Sequence, residues 1–548
     1  MKNRTLTKSF SAIAICLLLS ACGEDPFVVK GNVLGLTGSV KLILNGGETL
    51  DVDSDGAFEI GSSVPETIYS LAILNHPEQQ TCLVVAKGAG PVPEDDGDNI
   101  TPIVVEGAEI SCADGWMGTR QWGTYETDEL KSAALDSSDN IHMVGYRQSF
   151  LISETVYNPF TGEYENRTKY TVNAWLSRLN GSQDIILKSK GDSAFRSIVV
   201  DELDNSYIVG YMSGNWDDQV NHGGTDVLIT KLDASGQFLW TRLLGGGGND
   251  DARDVALNAD GQLIVVGFTN SPEFEGTAEV GEGDAFVMQL DTDGNVGWVS
   301  MLGSTQSDSF SSVAIDALGD VIVSGTSFGD LAGASNNGER DAFLAKYDTT
   351  GELQWLTMVG GSGYELINRF NGPGGGRGLI IDKANNIILV GGTRSDDFYG
   401  QASIGGIDET DAFIVKLGSD GDLQWTTRMG DVKSDMLTDV IEDSEGNLIV
   451  TGYTYVGDWL ELGPGVGSED AFVMKLNSLG DVMWTETFGS VRRDIPSFLL
   501  KDRAEHYYMG GATGGSLPGF INSKHPINNS LINSDAFLAK FDIDGNFL

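Results

Sequence analysis

An acidic side chain recurs along most of this chain, five residues after the glycine that ends one repeated segment. Asp192 takes the same place in a shortened unit, counting back from the segment that follows. Carboxylate oxygens are the ligands that Ca²⁺ and other hard cations prefer, so a ring of them predicts a metal site. The alternative is a structural role, in which each carboxylate accepts hydrogen bonds from backbone N–H groups of its own turn. The series is Asp128, Asp192, Asp250, Asp308, Glu365, Asp435 and Asp494.

Signals for catalysis are weak in this sequence. Its five histidines are not spaced as metal ligands, and there is no nucleophile elbow, phosphate loop or HExxH motif. Two acidic loops that meet across a ring could still serve glycoside hydrolysis, so a polysaccharide hydrolase or lyase is the alternative function. Rare positive positions could bind an anion or offset local charge; they are Arg369, Arg377, Arg492 and Arg493.

A repeated unit must position these side chains. Asp-Ala-Phe opens a short apolar segment at 284, 341, 411, 470 and 535, with variants at 173 and 226. We call this segment strand c; a tryptophan segment (strand d) follows it, and then two further apolar segments (strands a and b) separated by a glycine turn. Four antiparallel strands with tight a–b and c–d turns make one blade of a β-propeller.

Seven units predict seven blades. Residues 115–123 form an isolated strand d before the first unit, and the last unit stops after its strand c. The N-terminal strand is therefore expected to complete the last blade and close the ring. The recurring tryptophans are predicted to pack between neighbouring blades and not to bind a cofactor; they are Trp240, Trp298, Trp355, Trp425 and Trp484.

The pattern D-A-F-x-x-K-L-D-x-x-G-x-x-x-W, followed by L-G-G and V-x-x-D-x-x-G-N-x-x-V-x-G, resembles the bacterial seven-bladed β-propeller repeat family. The resemblance covers about residues 115–548. It implies an all-β propeller on an exported or surface protein. It carries over no catalytic residue, because the pattern is one of packing and a fold hosts many functions.

The d–a and b–c loops are the long and variable ones, which predicts that their face binds a partner. Segments 147–172 and 361–377 are among the longest. Several of these loops combine aromatic and acidic residues, as in NWDDQ (215–219) and DDFYG (396–400). Such loops suit sugar or peptide recognition, and they equally suit a polar loop with one packing aromatic.

The N-terminus has the features of an export signal. Residues 1–21 combine a positive start with a short apolar run, too short to span a bilayer as a helix. The ending Leu19-Ser20-Ala21-Cys22 resembles the bacterial lipobox, which implies lipidation of Cys22, an anchor and linker at 22–26, and attachment to a membrane. Gly23 after the cysteine implies sorting to the outer membrane of a Gram-negative bacterium.

Residues 27–113 differ from the repeats, and their short alternating segments predict a small immunoglobulin-like β-sandwich. Cys82 and Cys112 are an even pair in an exported chain, so a disulfide is expected, with two free buried thiols as the alternative. Asp51 to Gly56 resembles the start of a calcium loop, but Ser62 stands where the bidentate glutamate belongs. A hairpin turn between ETLDV and AFEI is the favoured interpretation.

The net charge of −45 excludes nucleic acid and anionic lipid headgroups as likely direct partners. Taken together, the sequence predicts a β-sandwich followed by a seven-bladed propeller at 114–548, on a lipid-anchored monomer of the cell envelope. The predicted function is non-catalytic binding, adhesion or scaffolding, with a protein or glycan as partner. No cofactor is required by any motif, apart from the Ca²⁺ that the carboxylates could hold.

Overall fold

The computed structural model describes residues 27–547, except for 37, 45–47, 63–67, 76–79, 87–88, 92–102, 115–119, 123–126, 159–162, 180–183, 188–190, 368–376, 405, 407–408, 456–468, 491, 516 and 518–533. For several strands, including those that carry Cys82 and Cys112, only the backbone is described. No helix in this part of the chain is long and apolar enough to cross a membrane. Contacts divide the chain into two compact units, Met1–Pro77 with Cys82–Cys112, and Ala113–Leu548 with Glu78–Thr81.

The N-terminal unit contains two four-stranded sheets. One has the order Gly56–Ser62, Phe27–Leu34, Ile103–Asp114, Gln80–Ala86, and the other has the order Glu48–Val52, Val40–Leu44, Ile68–Asn75, Ala89–Pro91. Alternate apolar residues of both sheets meet in one buried cluster, for example Val29 and Phe58 from the first sheet with Leu42 and Leu71 from the second. The immunoglobulin-like sandwich itself stays a prediction.

The hairpin predicted at Asp51 to Gly56 is wrong. Glu48–Val52 pairs with Val40–Leu44, whereas Gly56–Ser62 pairs with Phe27–Leu34, so the turn carries the chain from one sheet to the other. Asp55 in this turn accepts hydrogen bonds from the backbone N–H groups of Gly35 and Leu36, at 2.9 and 2.5 Å. The aspartate therefore stabilises a neighbouring turn.

The C-terminal unit is an all-β, seven-bladed propeller in which every blade contains four antiparallel strands in the order a, b, c, d. Strand a of the seven blades is Asp128–Leu135, Ser193–Val200, Asp250–Leu257, Asp308–Ile315, Glu365–Leu366 with Leu379–Ile381, Asp435–Glu442 and Asp494–Lys501. Strand b is Ile141–Asn158, Ser206–Met212, Leu263–Thr269, Val321–Ser327, Ile387–Thr393, Leu448–Thr454 and Tyr507–Thr513. Strand c is Glu163–Arg178, Asp226–Leu232, Asp284–Leu290, Asp341–Tyr347, Asp411–Leu417, Asp470–Leu476 and Asp535–Phe541. Strand d is Ile185–Ile186, Phe238–Leu244, Val296–Leu302, Leu353–Val359, Leu423–Met429, Val482–Phe488 and Arg120–Trp122. Two-stranded ribbons, Glu273–Phe274 with Thr277–Ala278 and Asp397–Phe398 with Gln401–Ala402, lie in b–c loops.

The ring closes through the N-terminal strand. Residues 120–122 pair antiparallel with strand c of the last blade, with Leu538 opposite Arg120 and Ala536 opposite Trp122. This is the pairing that the isolated segment 115–123 predicted. Strands a of neighbouring blades contact one another all the way round, so strand a is innermost and lines the central channel.

The repeated tryptophans pack across the seams between blades. The indole N–H of Trp240 donates to the carbonyl of Thr292 in the c–d turn of the next blade at 3.0 Å. Gly294 in that turn has φ of 80° and lies against the Trp240 ring, where a Cβ would be 3.1 Å from it. The same arrangement recurs for Trp298 with Gly351. In five c–d turns, those of Gly294, Gly351, Gly421, Gly480 and Gly545, the glycine thus gives room to the indole of the preceding blade.

Two blades depart from the repeat. In the first blade, segment 147–172 was expected to be a loop, but strands b and c extend into it and stay paired as far as Asn158 and Glu163. Alternating β-branched and aromatic residues along both segments explain the longer ribbon. In the fifth blade the insertion interrupts strand a itself, because Glu365–Leu366 and Leu379–Ile381 both pair with Ile387–Thr393.

We expect Gly325→Ala in strand b of the fourth blade to lower the free energy of unfolding by about 2–3 kcal/mol, a typical cost of overpacking. A Cβ there would lie 2.3 Å from the carbonyl oxygen of Ser309 and 2.7 Å from the ring of Phe343. Urea unfolding measures the change. Gly247→Ala is the matched control, since nothing lies within 4 Å of its Cβ position, and equal effects of the two substitutions would contradict the packing argument.

Candidate functional site

The predicted carboxylates lie at the first residue of strand a, where six of them are buried. The exception is Asp192, which is exposed and lies one residue before strand a of the second blade. Ser193 pairs with Met212 as Asp250 pairs with Thr269, so Ser193 holds the equivalent position. Counting back from the strand was off by one residue because the d–a connection of this unit differs in length.

Five of these carboxylates, those of Asp250, Asp308, Glu365, Asp435 and Asp494, cap their own d–a loops. Asp250 accepts a hydrogen bond from the N–H of Gly246 at 2.9 Å, and Asp494 accepts one from Ser490 at 2.7 Å. The N–H of residue i−4 is the donor in each case, which is the turn-stabilising role that was weighed against metal binding. Among the described residues, no three acidic, histidine or cysteine side chains come together as a metal site. The six buried carboxylates thus lie in separate seams between blades, and calcium binding by the series stays a prediction.

A second carboxylate, which the repeat pattern did not predict as a neighbour, lies beside most of them. The Asp of Asp-Ala-Phe in one blade lies next to strand a of the following blade, because Asp308 N donates to the carbonyl of Gly283 at 2.8 Å and Asp250 N donates to Thr225 at 2.7 Å. The glycine that ends strand d lies between the two acids. A Cβ on Gly245 would be 2.5 Å from Asp250 Oδ2 and 2.9 Å from Asp226 Oδ1.

These paired acids are strongly desolvated. Burial, and then the neighbouring Asp341, raise the pKa of Glu365 to about 7. Burial also raises the pKa of Asp494 to about 6, with Asp470 beside it as a further cause. The pKa values of Asp250 and Asp308 are raised for the same reasons, by burial and then by Asp226 and Asp284. Two carboxylates in a dry seam disfavour each other's charge.

Among the described residues, guanidinium groups compensate this charge in two seams. Between the fifth and sixth blades, Arg428 donates from Nε to Asp411 Oδ2 at 2.7 Å, and its Nη2 lies 2.7 Å from the same oxygen. Between the last and first blades, Arg147 Nε lies 3.1 Å from Asp128 Oδ1. The seam between the first and second blades has the uncharged pair Asn173 and Ser193, where Ser193 Oγ accepts from Ala174 N at 3.0 Å.

A cavity of about 430 Å³ occupies the central channel. Its wall is about equally polar and apolar, and it comes from strands a of six blades, through residues such as Ala133, Val313, Leu379, Val440 and Leu499. Because the lining residues belong to the second half of strand a, the cavity lies toward the face of the a–b turns. The loop lengths had predicted a binding site on the opposite face, which carries the long loops.

Arg377 crosses the channel at the inner end of this cavity. It belongs to the fifth blade, yet its Nη2 donates to the carbonyl of Ile198 in the second blade at 2.9 Å, and its Nε lies 3.5 Å from Asp254 Oδ1 in the third. Its own carbonyl accepts a hydrogen bond from Ser312 in the fourth blade. Nη1 makes no hydrogen bond to the described residues, and the side chain is 37% exposed. The insertion in strand a thus brings a cation to the channel axis.

Buried aspartates join strands a beside Arg377. Asp439 accepts hydrogen bonds from Leu499 N at 2.7 Å, Val440 N at 2.9 Å and Gly378 N at 3.3 Å, and so links three blades. Burial raises its pKa to about 6, although these N–H groups and Arg377 oppose the shift. Lys131 at the cavity wall is paired with Glu129 at 3.0 Å. The charges at the inner end are therefore largely balanced.

Other predicted residues have structural surroundings. Arg493 forms an ion pair with Glu469, so it offsets local charge, and Phe398 of DDFYG is fully buried in the blade core. The strands of Cys82 and Cys112 are hydrogen-bonded neighbours, and their disulfide stays a prediction because these side chains are not described. Cys22 and Arg369 lie outside the described residues.

No family model matches the chain. It is similar to the regulatory protein FlaEY of Caulobacter vibrioides, with 24% identity over 293 residues, 48% of this chain and 29% of that protein. It is also similar to an uncharacterized WD repeat-containing protein, L264, of Acanthamoeba polyphaga mimivirus, with 20% identity over 478 residues, 76% of this chain and 32% of that protein. The chain spans less than a third of the length of either relative. The second likeness agrees with a propeller built from repeats.

Among solved structures, a protein of unknown function from Dyadobacter fermentans has a TM-score of 0.39 at 12% identity, covering 66% of this chain and 99% of its own. The structure described as YCF48 bound to D1 peptide has a TM-score of 0.36 at 9% identity, covering 78% of this chain and 94% of its own. Both scores lie below 0.5, so no functional argument is drawn from them.

Proposed function

We propose that this chain is a non-catalytic binding protein of the bacterial cell envelope, which holds part of a protein or glycan partner in the central cavity of its propeller. The observation that carries the proposal is the cavity of about 430 Å³ with the Arg377 guanidinium at its inner end. Ligand pockets typically have volumes of about 300–1,000 Å³, apolar walls and a few placed polar groups. This cavity has a volume in that range and a placed guanidinium, and about half of its wall is apolar.

The lining defines what a partner would present. Ala133, Val313 and Leu499 offer an apolar wall, while Arg377 keeps Nη1 free of the described residues as a donor. Because Asp254 and Asp439 balance the local charge, a full anion gains little there, and a neutral acceptor such as a carbonyl or hydroxyl suits the donor better. The cavity volume fits a large side chain or a single sugar ring, so a partner would insert one short segment.

A hydrolase or lyase is the less favoured function. Glycoside hydrolysis needs two carboxyl groups that reach the scissile bond from opposite sides. The close acid pairs of the described residues lie in the seams, where Asp250, Asp284 and Asp341 are fully buried and substrate cannot reach them. We base attachment to the outer membrane through Cys22 on the lipobox resemblance. Such an anchor would hold the propeller at the cell envelope through the lipid alone.

We expect Ala314→Phe to weaken the binding of any ligand selected by the wild-type protein at least tenfold, about 1.4 kcal/mol, because the new ring fills the cavity. Peptide libraries and glycan arrays supply the ligands, and calorimetry measures the affinities. Ala317→Phe is the matched control, since this exposed residue of the same a–b turn does not line the cavity. Unchanged affinity in Ala314→Phe, or release of reducing ends from a polysaccharide by the wild type, would contradict the proposal.

A further inference from the structure

The first three blades each carry a positive side chain at the same point of strand a. In six blades strand a contains a β-bulge after its third residue. The residues that these bulges leave out of the strand pairing are, in chain order, Lys131, Arg196, Arg253, Ser311, Thr438 and Ser497. A bulge re-aims the side chain of its extra residue. We call Lys131, Arg196 and Arg253 the cationic arc, which is unexpected in a chain with 79 acidic and 34 basic residues.

Each member of the cationic arc reaches toward the loop end of the channel. Arg196 Nη2 donates to Asp251 Oδ2 of the third blade at 3.3 Å, and Arg253 Nη1 donates to the carbonyl of Phe310 of the fourth blade at 3.4 Å. Asp251 and Phe310 are the second and third residues of their strands a. Lys131 likewise pairs with the second residue of its own strand. The cationic arc therefore faces the d–a loops, whereas the central cavity extends toward the a–b turns.

Positive charge exceeds negative charge at the cationic arc. Asp251 interacts with both guanidinium groups, and Glu129 pairs with the lysine at 3.0 Å. Among the described residues, three cations thus interact mainly with two carboxylates. Burial lowers the pKa of Arg253 to about 10, because the opposing effect of Asp251 is partly cancelled by the charges of Arg196 and Arg340. Like charges that are held together away from water disfavour one another, so an added anion would be stabilised here.

An aromatic ring of strand b lies beside each member of the cationic arc. The distances from the cation to the ring centre are 5.4 Å for Lys131 with Tyr146, 5.2 Å for Arg196 with Tyr211 and 5.8 Å for Arg253 with Phe268. Such cation–π contacts orient the positive groups. The three rings are partly exposed, and the Arg196 side chain is 24% exposed. Solvent therefore reaches a place where hydrogen-bond donors and apolar ring surface lie side by side.

We propose that the cationic arc binds a hexuronate, a sugar that carries one carboxylate. A guanidinium matches the two oxygens of a carboxylate, while the apolar face of a sugar ring is buried against aromatic rings. An acidic peptide side chain would use the guanidinium groups and leave the rings exposed. Because the net charge of −45 repels a polyanion, a single acidic residue of a glycan fits better than a polymer of them. The cationic arc and the central cavity are separate sites, and either can bind its ligand without the other.

The other side of the channel has hydroxyl groups at the bulge position. Ser311, Thr438 and Ser497 occupy it in the fourth, sixth and seventh blades. Ser497 Oγ is buried and makes no hydrogen bond to the described residues. Serine is therefore compatible with the backbone of this bulge, so Arg196→Ser and Arg253→Ser remove the positive charge without new backbone strain.

The test is isothermal calorimetry of the full-length protein at pH 7 with glucuronate, glucose and acetate as separate probes. Glucuronate is expected to bind at least tenfold more tightly than glucose, which lacks the carboxylate, and than acetate, which lacks the ring. Arg196→Ser and Arg253→Ser are each expected to weaken glucuronate binding at least tenfold, because a hydrogen bond between charged groups is lost. Lys433→Gln is the matched control, since this exposed lysine lies in a d–a loop of the same face, between the fifth and sixth blades.

Weaker glucuronate binding in both serine variants, with unchanged binding in Lys433→Gln, supports the assignment. Arg196→Lys keeps the charge but lacks the planar fork, and it should weaken binding in the same direction if a serine variant folds poorly. Equal affinities for acetate and glucuronate would overturn the sugar in favour of a simple carboxylate. Absence of glucuronate binding, or an affinity that none of the three arginine variants alters, would overturn the site itself.

The central cavity is tested apart from the cationic arc. Ala314→Phe fills the cavity and should leave the affinity for glucuronate unchanged. Loss of glucuronate binding in Ala314→Phe but not in Arg196→Ser would place the sugar in the cavity and overturn the assignment to the cationic arc.

Discussion

A chain that begins at Asp128 is expected to be less stable than the full protein by about 5 kcal/mol, because it lacks the strand that closes the ring. Gln121 alone makes three buried hydrogen bonds to the last blade, to Gly515 O, Asp535 Oδ2 and Leu517 N at 2.9, 2.9 and 3.0 Å. Each such bond contributes about 1 kcal/mol, and the lost strand pairing adds a similar amount for each backbone bond. Thermal unfolding and light scattering measure the effect, since strand c of the last blade would also become an open edge.

A chain that begins at residue 115 is the control for this truncation. It keeps residues 120–122 and is expected to unfold at the temperature of the full propeller. Gln121→Ala in the full chain tests the side chain alone and should cost about 3 kcal/mol. If the chain from Asp128 were as stable as the chain from residue 115, closure through the N-terminal strand would not stabilise the ring.

The second large effect is expected from Glu365→Gln, which should stabilise the protein at pH 8 by roughly 2 kcal/mol. Burial raises the pKa of Glu365 to about 7, above its value in the unfolded chain. Its contribution to stability is therefore complete below about pH 4.5 and is lost as the pH rises through 7. Glutamine keeps the acceptor for Thr393 and Ser395 and offers an amide donor to Asp341.

The wild-type protein should accordingly lose stability between pH 5 and pH 8, whereas Glu365→Gln should lose less. Urea unfolding across that range gives both curves. Asp435→Asn is the matched control, because its seam already contains Arg428 and no stabilisation at pH 8 is expected there. A pH profile that is identical for wild type and Glu365→Gln would contradict the raised pKa.

Much of the fold could be predicted from the repeat. Asp-Ala-Phe, the strand-d tryptophan and the two glycine turns recur with nearly constant spacing, so strand order, blade number and the closing segment all followed from one unit. The capping role of the aspartates could also be predicted from the sequence. Each capping carboxylate accepts a hydrogen bond from a backbone N–H only four residues earlier, so the contact depends on local sequence. Segment 147–172 was wrongly predicted to be a loop, and so was Glu365–Leu366 within 361–377, since an extended ribbon and an interrupted strand differ from loops only in how they pair.

The central cavity could not be predicted from the sequence, because it depends on how distant segments pair and pack. Arg377 stood out as a positive residue in an acidic chain, yet nothing in its neighbours indicates that it reaches Ile198 and Asp254 on the far side of the channel. Its position depends on where the insertion interrupts strand a. Contacts between residues about 180 positions apart depend on the closed ring and not on local pattern.

The sequence by itself determined the architecture, because the blades repeat the same contacts. A turn glycine packs against an indole, an aspartate caps a loop, and a phenylalanine packs into the core. Only the tertiary structure decided where charge accumulates. Asp284 and Asp308 belong to different blades and become a buried pair when the seam forms, while Arg428 neutralises the seam of Asp411 and Asp435. Desolvation depends on what surrounds a group in space, and a linear pattern does not contain that information.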